Sequence, residues 1–420
     1  MRRNWVWLIV LLATRCDTAT LTPNGSATKL AFTGQPSKAA ENELLAPAIT
    51  VAVLDGAGNV VPDFVGPVTV SLSTNTAGKS TLAGTKTETP SHGIATFSDL
   101  SIDRFGSGYA LVASAAGLGA ATSAPFDITC AASCWTTLAP LPTQRTFAGI
   151  GVLDGMLYVV GGLGSQGRTA SVEAYDPVTN TWTTRASLPT PRAELAVGVV
   201  NGILYAVGGS VLGADATAIV EAYDPVTDRW AAKRSMPTAR AALSVAVANG
   251  RLYAIGGTAQ SGADTAVVEA YDPGSDSWTK NAALHFARSA FGAAAVDGVI
   301  YVFGGEGPVI PLGSMEAYDL RSDSWTPKTP MLTPRSGLGA ASANGFIYAV
   351  GGRANDVSAT VERYDPATNS WTASASMPTA RVLLSVGAVD GILYAIDGSS
   401  AAKPFLSTNE AFSTNGPFQE

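Results

Sequence analysis

Ala196-Val197-Gly198-Val199-Val200-Asn201-Gly202-Ile203-Leu204-Tyr205-Ala206-Val207-Gly208-Gly209 decides the fold. Two apolar runs meet at Asn-Gly, a pair suited to the positive φ angles of a two-residue hairpin turn. Gly208-Gly209 then ends the second strand, at a place where side chains would collide. The same stretch recurs along the chain. Its turn is rewritten as Asp154-Gly155, Asn249-Gly250, Asp297-Gly298, Asn344-Gly345 and Asp390-Gly391. The glycine pair returns at Gly161, Gly208, Gly256, Gly304 and Gly351, and the sixth place reads Asp397-Gly398.

Other residues keep the same period. Trp135, Trp182, Trp230, Trp278, Trp325 and Trp371 lie 46 to 48 residues apart. Ten residues after each stands an arginine: Arg145, Arg192, Arg240, Arg288, Arg335 and Arg381. A third strand ends in Glu-Ala-Tyr-Asp or a variant, with Tyr175, Tyr223, Tyr271, Tyr318, Tyr364 and Phe412. One unit therefore reads as four strands with the Trp on the fourth. A lone four-stranded sheet cannot bury both faces, so the units must stack around an axis.

Gly-Gly, then Tyr-Asp, then Trp, repeated in phase, resembles the Kelch repeat, and the resemblance covers 135–412. It implies a six-bladed β-propeller. Trp135 has no glycine pair upstream, and the last unit has no Trp after Phe412. Trp135 is therefore expected to supply the missing fourth strand of the last blade, which removes two exposed sheet edges. The rival closure uses Phe418.

Residues 27–129 read differently. Short alternating strands are expected at 29–32, 49–54, 68–72, 94–97, 109–112 and 126–128, with no helical period. Thr28-Lys29-Leu30-Ala31-Phe32, Val53-Leu54-Asp55 with Gly58-Asn59, and Gly93-Ile94-Ala95-Thr96-Phe97 resemble the bacterial immunoglobulin-like domains of surface proteins. The fold class expected for the whole chain is all-β: an immunoglobulin-like sandwich over 27–129, then a six-bladed Kelch propeller over 130–420. The resemblance implies that the first domain is a spacer.

Arg2 and Arg3 precede nine apolar residues, Trp5 to Ala13. That run is half of what a bilayer span needs, roughly 20, so 1–19 reads as a secretory signal. Cys16 follows it, as in the lipobox of bacterial lipoproteins, although Arg15 stands where that motif has a small residue. Lipidation of Cys16 and simple cleavage nearby are both open. Cys130 and Cys134 are spaced to close a small disulfide loop in an oxidising compartment, leaving Cys16 as the odd cysteine. The protein is expected outside the cytoplasm, secreted or lipid-anchored to the cell envelope.

Net charge is −7 with no Lys/Arg cluster, which argues against nucleic acid and anionic lipid surfaces as partners. Membrane contact is expected only through an N-terminal lipid. His92 and His285 are the only histidines. With His92 in the first domain and Cys130 and Cys134 lacking further ligands nearby, no metal site is expected, and no cofactor. Galactose oxidase, a Kelch-like copper enzyme, needs histidines and a Tyr–Cys pair that this propeller lacks. No phosphate loop, dinucleotide fingerprint or Gly-x-Ser-x-Gly appears.

Groups present once per blade make poor sites. The six arginines and Glu173, Glu221, Glu269, Glu316, Glu362 and Glu410 read as structural charge pairs. The aspartates of the Tyr-Asp turns read as turn caps. Function should sit where the units differ. The loops after the glycine pairs carry Arg168, Asp215, Asp264, Glu306, Arg353, Asp356 and Lys403. A second variable position lies two residues after each arginine: Phe147, Glu194, Ala242, Ala290, Gly337 and Leu383. In related propellers it points to the channel mouth. His285, where four sister units have Pro, reads as a surface variant rather than a general base.

These features suggest a non-enzymatic binding or scaffold protein whose propeller meets a protein or a carbohydrate. The alternative is an enzyme like the periplasmic sialic-acid mutarotases of Kelch type, with Glu194 and Arg168 or Arg353 in the channel.

Overall fold

The computed structural model describes residues 25–36, 38–73, 80–103, 106–129, 135–307 and 311–414. The signal segment, Cys16, Cys130, Cys134 and Phe418 lie outside the described residues.

Between 27 and 129 every described element is a strand. Ala27–Gly34, Ile49–Asp55 and Ile94–Phe97 form one antiparallel sheet. A second runs Ala121–Thr122, Leu111–Ser114, Val68–Leu72, Thr87–Glu88. Lys38–Ala40, Phe126–Thr129 and Gly106–Tyr109 make a third. Alternation sends Val51, Val53, Val68, Val70, Phe97 and Leu111 into one apolar core. The single strand expected at 109–112 is two. Tyr109 pairs with Phe126 in one sheet, whereas Leu111 pairs with Leu72 in another. Tyr109 and Leu111 are both fully buried, so the chain changes sheets at Ala110 without turning either side chain out of the core. His92 sits in an exposed turn at positive φ.

From 135 onward the described residues build six four-stranded antiparallel sheets. The second is typical: Ala196–Val200, Ile203–Val207, Val220–Asp224 and Arg229–Lys233, in that order from inside outward. Its hairpin turn has φ of 51° at Asn201 and 76° at Gly202, both positive as the sequence demands. In the sixth sheet the fourth place is filled by Trp135–Thr137, paired with Asn409–Ser413 so that Trp135 faces Phe412.

Three repeated devices hold the ring. First, every repeat tryptophan donates its indole N–H to a carbonyl of the preceding blade. Trp182 reaches Ala139 at 2.9 Å, Trp371 reaches Thr329 at 3.0 Å, and Trp135 reaches Ala375 at 2.9 Å. Trp135, Trp325 and Trp371 are buried, but Trp182, Trp230 and Trp278 stay half-exposed. Second, each repeat arginine is buried and paired with the repeat glutamate of its own blade, at 2.6 to 3.0 Å. Third, the turn aspartates accept backbone N–H groups two residues on, as Asp224 does from Val226 at 2.9 Å.

The glycine pair has a specific cause. A Cβ at Gly208 would stand 2.6 Å from the carbonyl oxygen of Arg240 in the next blade, and φ there is +63°. Blades meet backbone to backbone at this point.

Candidate binding site at the mouth of the ring

Each variable residue two places after a repeat arginine lies in the left-handed region: Phe147, Glu194, Ala242, Ala290, Gly337 and Leu383, with φ from 48° to 60°. That conformation is uncommon for residues other than glycine and costs about 1–2 kcal/mol each. The return is a closed belt. Glu194 N–H donates to the Phe147 carbonyl at 2.9 Å, and Ala242 to Glu194 at 2.9 Å. Ala290 donates to Ala242 at 2.9 Å, Gly337 to Ala290 at 2.8 Å, and Leu383 to Gly337 at 2.7 Å. Phe147 completes the circle by donating to Leu383 at 3.2 Å. Six blades thus share one ring of backbone hydrogen bonds around the axis.

The belt frames a cavity of about 250 Å³ whose wall includes Glu194, Ser289, Glu306, Ser336 and Arg353. The loops that follow the glycine pairs reach this mouth through short backbone bridges. Glu306 and Ser289 exchange N–H···O bonds of 2.8 and 3.1 Å, one residue before belt residue Ala290. Arg353 and Ser336 exchange bonds of 2.8 and 3.0 Å, one residue before Gly337. Ser336 Oγ also donates to Glu306 at 3.4 Å. Two carboxylates and one guanidinium therefore share a rim with Phe147, Val382 and Leu383. Deeper along the axis, a second space of about 280 Å³ is walled by small apolar residues of the first strands, among them Gly151, Ala246, Ala294 and Ala341.

Family models match most of this ring. The Kelch motif matches residues 144–189 and 191–237. A Kelch-repeats domain model described as KLHDC2/KLHL20/DRC7 matches 231–398. The ring is a Kelch propeller. A solved structure titled "Structure of YjhT" is similar over 67% of this chain and 99% of its own, with a TM-score of 0.60 and 17% identity. At that identity the likeness is one of fold alone. No curated protein matches the chain.

Of the residues singled out in sequence, Glu194, Glu306 and Arg353 come together at the mouth of the Kelch propeller. Asp264 stands behind it, accepting a hydrogen bond from the rim residue Thr258 at 3.1 Å. Arg168 turns to Ser210 Oγ at 3.1 Å and does not line the cavity. Asp215, Asp356 and Lys403 are exposed on their loops, away from the wall. Ser289 and Ser336 were missed. They directly follow a repeat arginine, a position that varies among the units and so carried the same signal as its neighbour.

His285 also has a role that periodicity alone hides. In four blades a threonine two residues before the repeat arginine donates to the buried glutamate, as Thr238 does to Glu269 at 2.8 Å. The fourth blade has Phe286 there. His285 replaces the lost donor, with Nδ1 2.6 Å and backbone N–H 3.1 Å from Glu316. Phe286 is thereby released to solvent, half-exposed on the loop that leads to Ser289.

Proposed function

We propose that this chain is a non-enzymatic binding protein working outside the cytoplasm. In this reading residues 27–129 are an immunoglobulin-like spacer, and the Kelch propeller offers its mouth to a protein or carbohydrate. The carrying observation is the chemistry of the rim. The belt consumes its own backbone N–H groups, so recognition falls to side chains that differ from blade to blade. Blades one and six supply Phe147, Val382 and Leu383; blades two, four and five supply Glu194, Glu306 and Arg353. A fixed rim with apolar and charged arcs suits a partner that presents both kinds of surface. Kelch repeats generally mediate protein interactions, which agrees with the matched models. Export rests on Arg2, Arg3 and the apolar run after them.

The test is binding of the mature protein to a glycan array and to candidate envelope proteins, repeated with Glu194→Gln and Arg353→Ala. The mouth reading expects both variants to weaken whatever binds by tenfold or more. Binding that survives both substitutions overturns it.

One observation favours a second reading. Glu306 and Arg353 share the rim, and a sugar-acid mutarotase needs an acid/base group and a cation for the substrate carboxylate. Anomer exchange of sialic acid followed by proton NMR, with wild type against Arg353→Ala, tests it directly.

A further inference from the structure

The ring is closed without a covalent bond, between the last unit of the sequence and the first. At this seam the repeat breaks its own rule. Five units begin their glycine pair with Gly; the sixth has Asp397, fully buried and at φ +55°. Its successor Gly398 donates its N–H to Arg145 of the first blade at 3.0 Å, as each sister glycine does to its neighbour's arginine. The backbone thus keeps the common blade-to-blade contact while adding a carboxyl inside it.

That carboxyl faces Ser385. Ser385 N–H lies 2.8 Å from Oδ1 and Ser385 Oγ lies 3.0 Å from Oδ2. The same Oγ lies 3.2 Å from the carbonyl oxygen of Ala148, across the seam in the first blade. A serine hydroxyl has one hydrogen to donate. With an ionised Asp397, two acceptors compete for it, and either the buried carboxylate oxygen or the part-buried Ala148 carbonyl goes without; an orphaned carboxylate oxygen there is costly. With a neutral Asp397 every group is satisfied. Ser244 holds the equivalent position in the third blade and donates to Phe291 at 2.8 Å, with Gly256 in place of the acid. There the hydroxyl has no second acceptor to serve.

We infer that a proton latches the ring: neutral Asp397 donates from Oδ2 to Ser385 Oγ, which donates in turn to the Ala148 carbonyl. The charged groups facing Asp397 are Arg145 of the first blade and Arg381 of the sixth. Each is already held by its own carboxylate, Glu173 at 2.6 Å and Glu410 at 2.7 Å. Asp397 itself makes no ion pair among the described residues. Burial pushes its carboxyl up to about 7, against the opposing pull of the Ser385 N–H, the Ser385 hydroxyl and the two arginines. A carboxyl raised above its unfolded value of 3.8 lends stability fully present below that value and lost as pH rises through about 7. Mild acid tightens the seam and mild alkali loosens it.

Hydrogen exchange of the full mature chain, corrected for the intrinsic rate at each pH, reads the seam directly. Peptides spanning Trp135–Thr137 and Asn409–Ser413 should open roughly tenfold or more often at pH 8 than at pH 5. Asp397→Asn supplies a permanent amide donor to Ser385 Oγ, so its seam should open equally at both pH values and less than wild type at pH 8. Asp397→Gly restores the residue of the other five units and should also lose the pH dependence. The latch is overturned if wild type and Asp397→Asn share one pH profile. It is equally overturned if infrared spectra of wild type minus variant show an ionised Asp397 at pH 5.

Discussion

Trp135 stands directly across from Phe412, their ring centroids 5.2 Å apart, although 277 residues separate them in sequence. The pair puts the first strand of the propeller in the last blade, and the Trp135 indole reaches on to Ala375 of the fifth. Removing the ring should empty a buried site shared by two blades. Trp135→Ala should cost about 3–5 kcal/mol in chemical denaturation. Trp135→Phe keeps much of the packing but loses the N–H donor, so it should cost clearly less. Equal losses would mean that the contact with Ala375, rather than packing, dominates.

The buried ion pairs give a second prediction. Arg240 and Glu269 meet at 2.7 Å with almost no exposure. Glu269→Gln leaves a guanidinium in the interior without its counter-charge. The expected loss is about 3–5 kcal/mol, read from the shift in denaturation midpoint. A loss below 1 kcal/mol would show that the carbonyls around Arg240 suffice to hold it.

The fourth blade allows a test by exchange. His285→Ala removes the side-chain donor that holds Glu316 and should destabilise by about 1–2 kcal/mol. Restoring the arrangement of the third blade, with His285→Pro and Phe286→Thr together, should recover most of that loss. If Phe286 also contacts a partner, the double variant will be stable yet bind more weakly, so the two properties separate in one protein.

At the belt, the left-handed backbone sets the expectation. Ala242→Gly should raise stability by up to about 1 kcal/mol, because the strain of φ +49° is relieved. Ala242→Val should lower it, since a branched Cβ fits that conformation worst. Thermal midpoints of the two variants, moving in opposite directions from wild type, would establish the strain.

Much of this architecture was open to reading from the sequence, because a closed ring forces repetition. The tryptophans, the glycine pairs and the Asn-Gly or Asp-Gly turns each mark a place where one backbone geometry recurs, so their spacing gives the blades. The unmatched Trp135 and the Trp-less last unit raised the question of closure. The site was less open. Glu194, Glu306 and Arg353 belong to different units, and no spacing reveals that their loops meet at one mouth. In sequence Asp397 is only a departure from the glycine pair, since its meaning depends on Ser385 and Ala148 in space. The repeat read from the sequence ends at Phe412, yet the ring runs a little further. Ser413 is part of the last strand, and Thr414 is buried, with bonds to Gly391 and Asn344.

The belt at the mouth has one more consequence. Its six hydrogen bonds form a loop of fixed perimeter, each link spanning one blade-to-blade step. A chain that gained or lost a unit by duplication or deletion would have to open that loop and re-form it at another circumference, with new angles at every link. The belt therefore acts as a gauge of blade number. Loops beyond it are free to drift in length and chemistry, while the count of six is held by atoms that carry no side-chain identity.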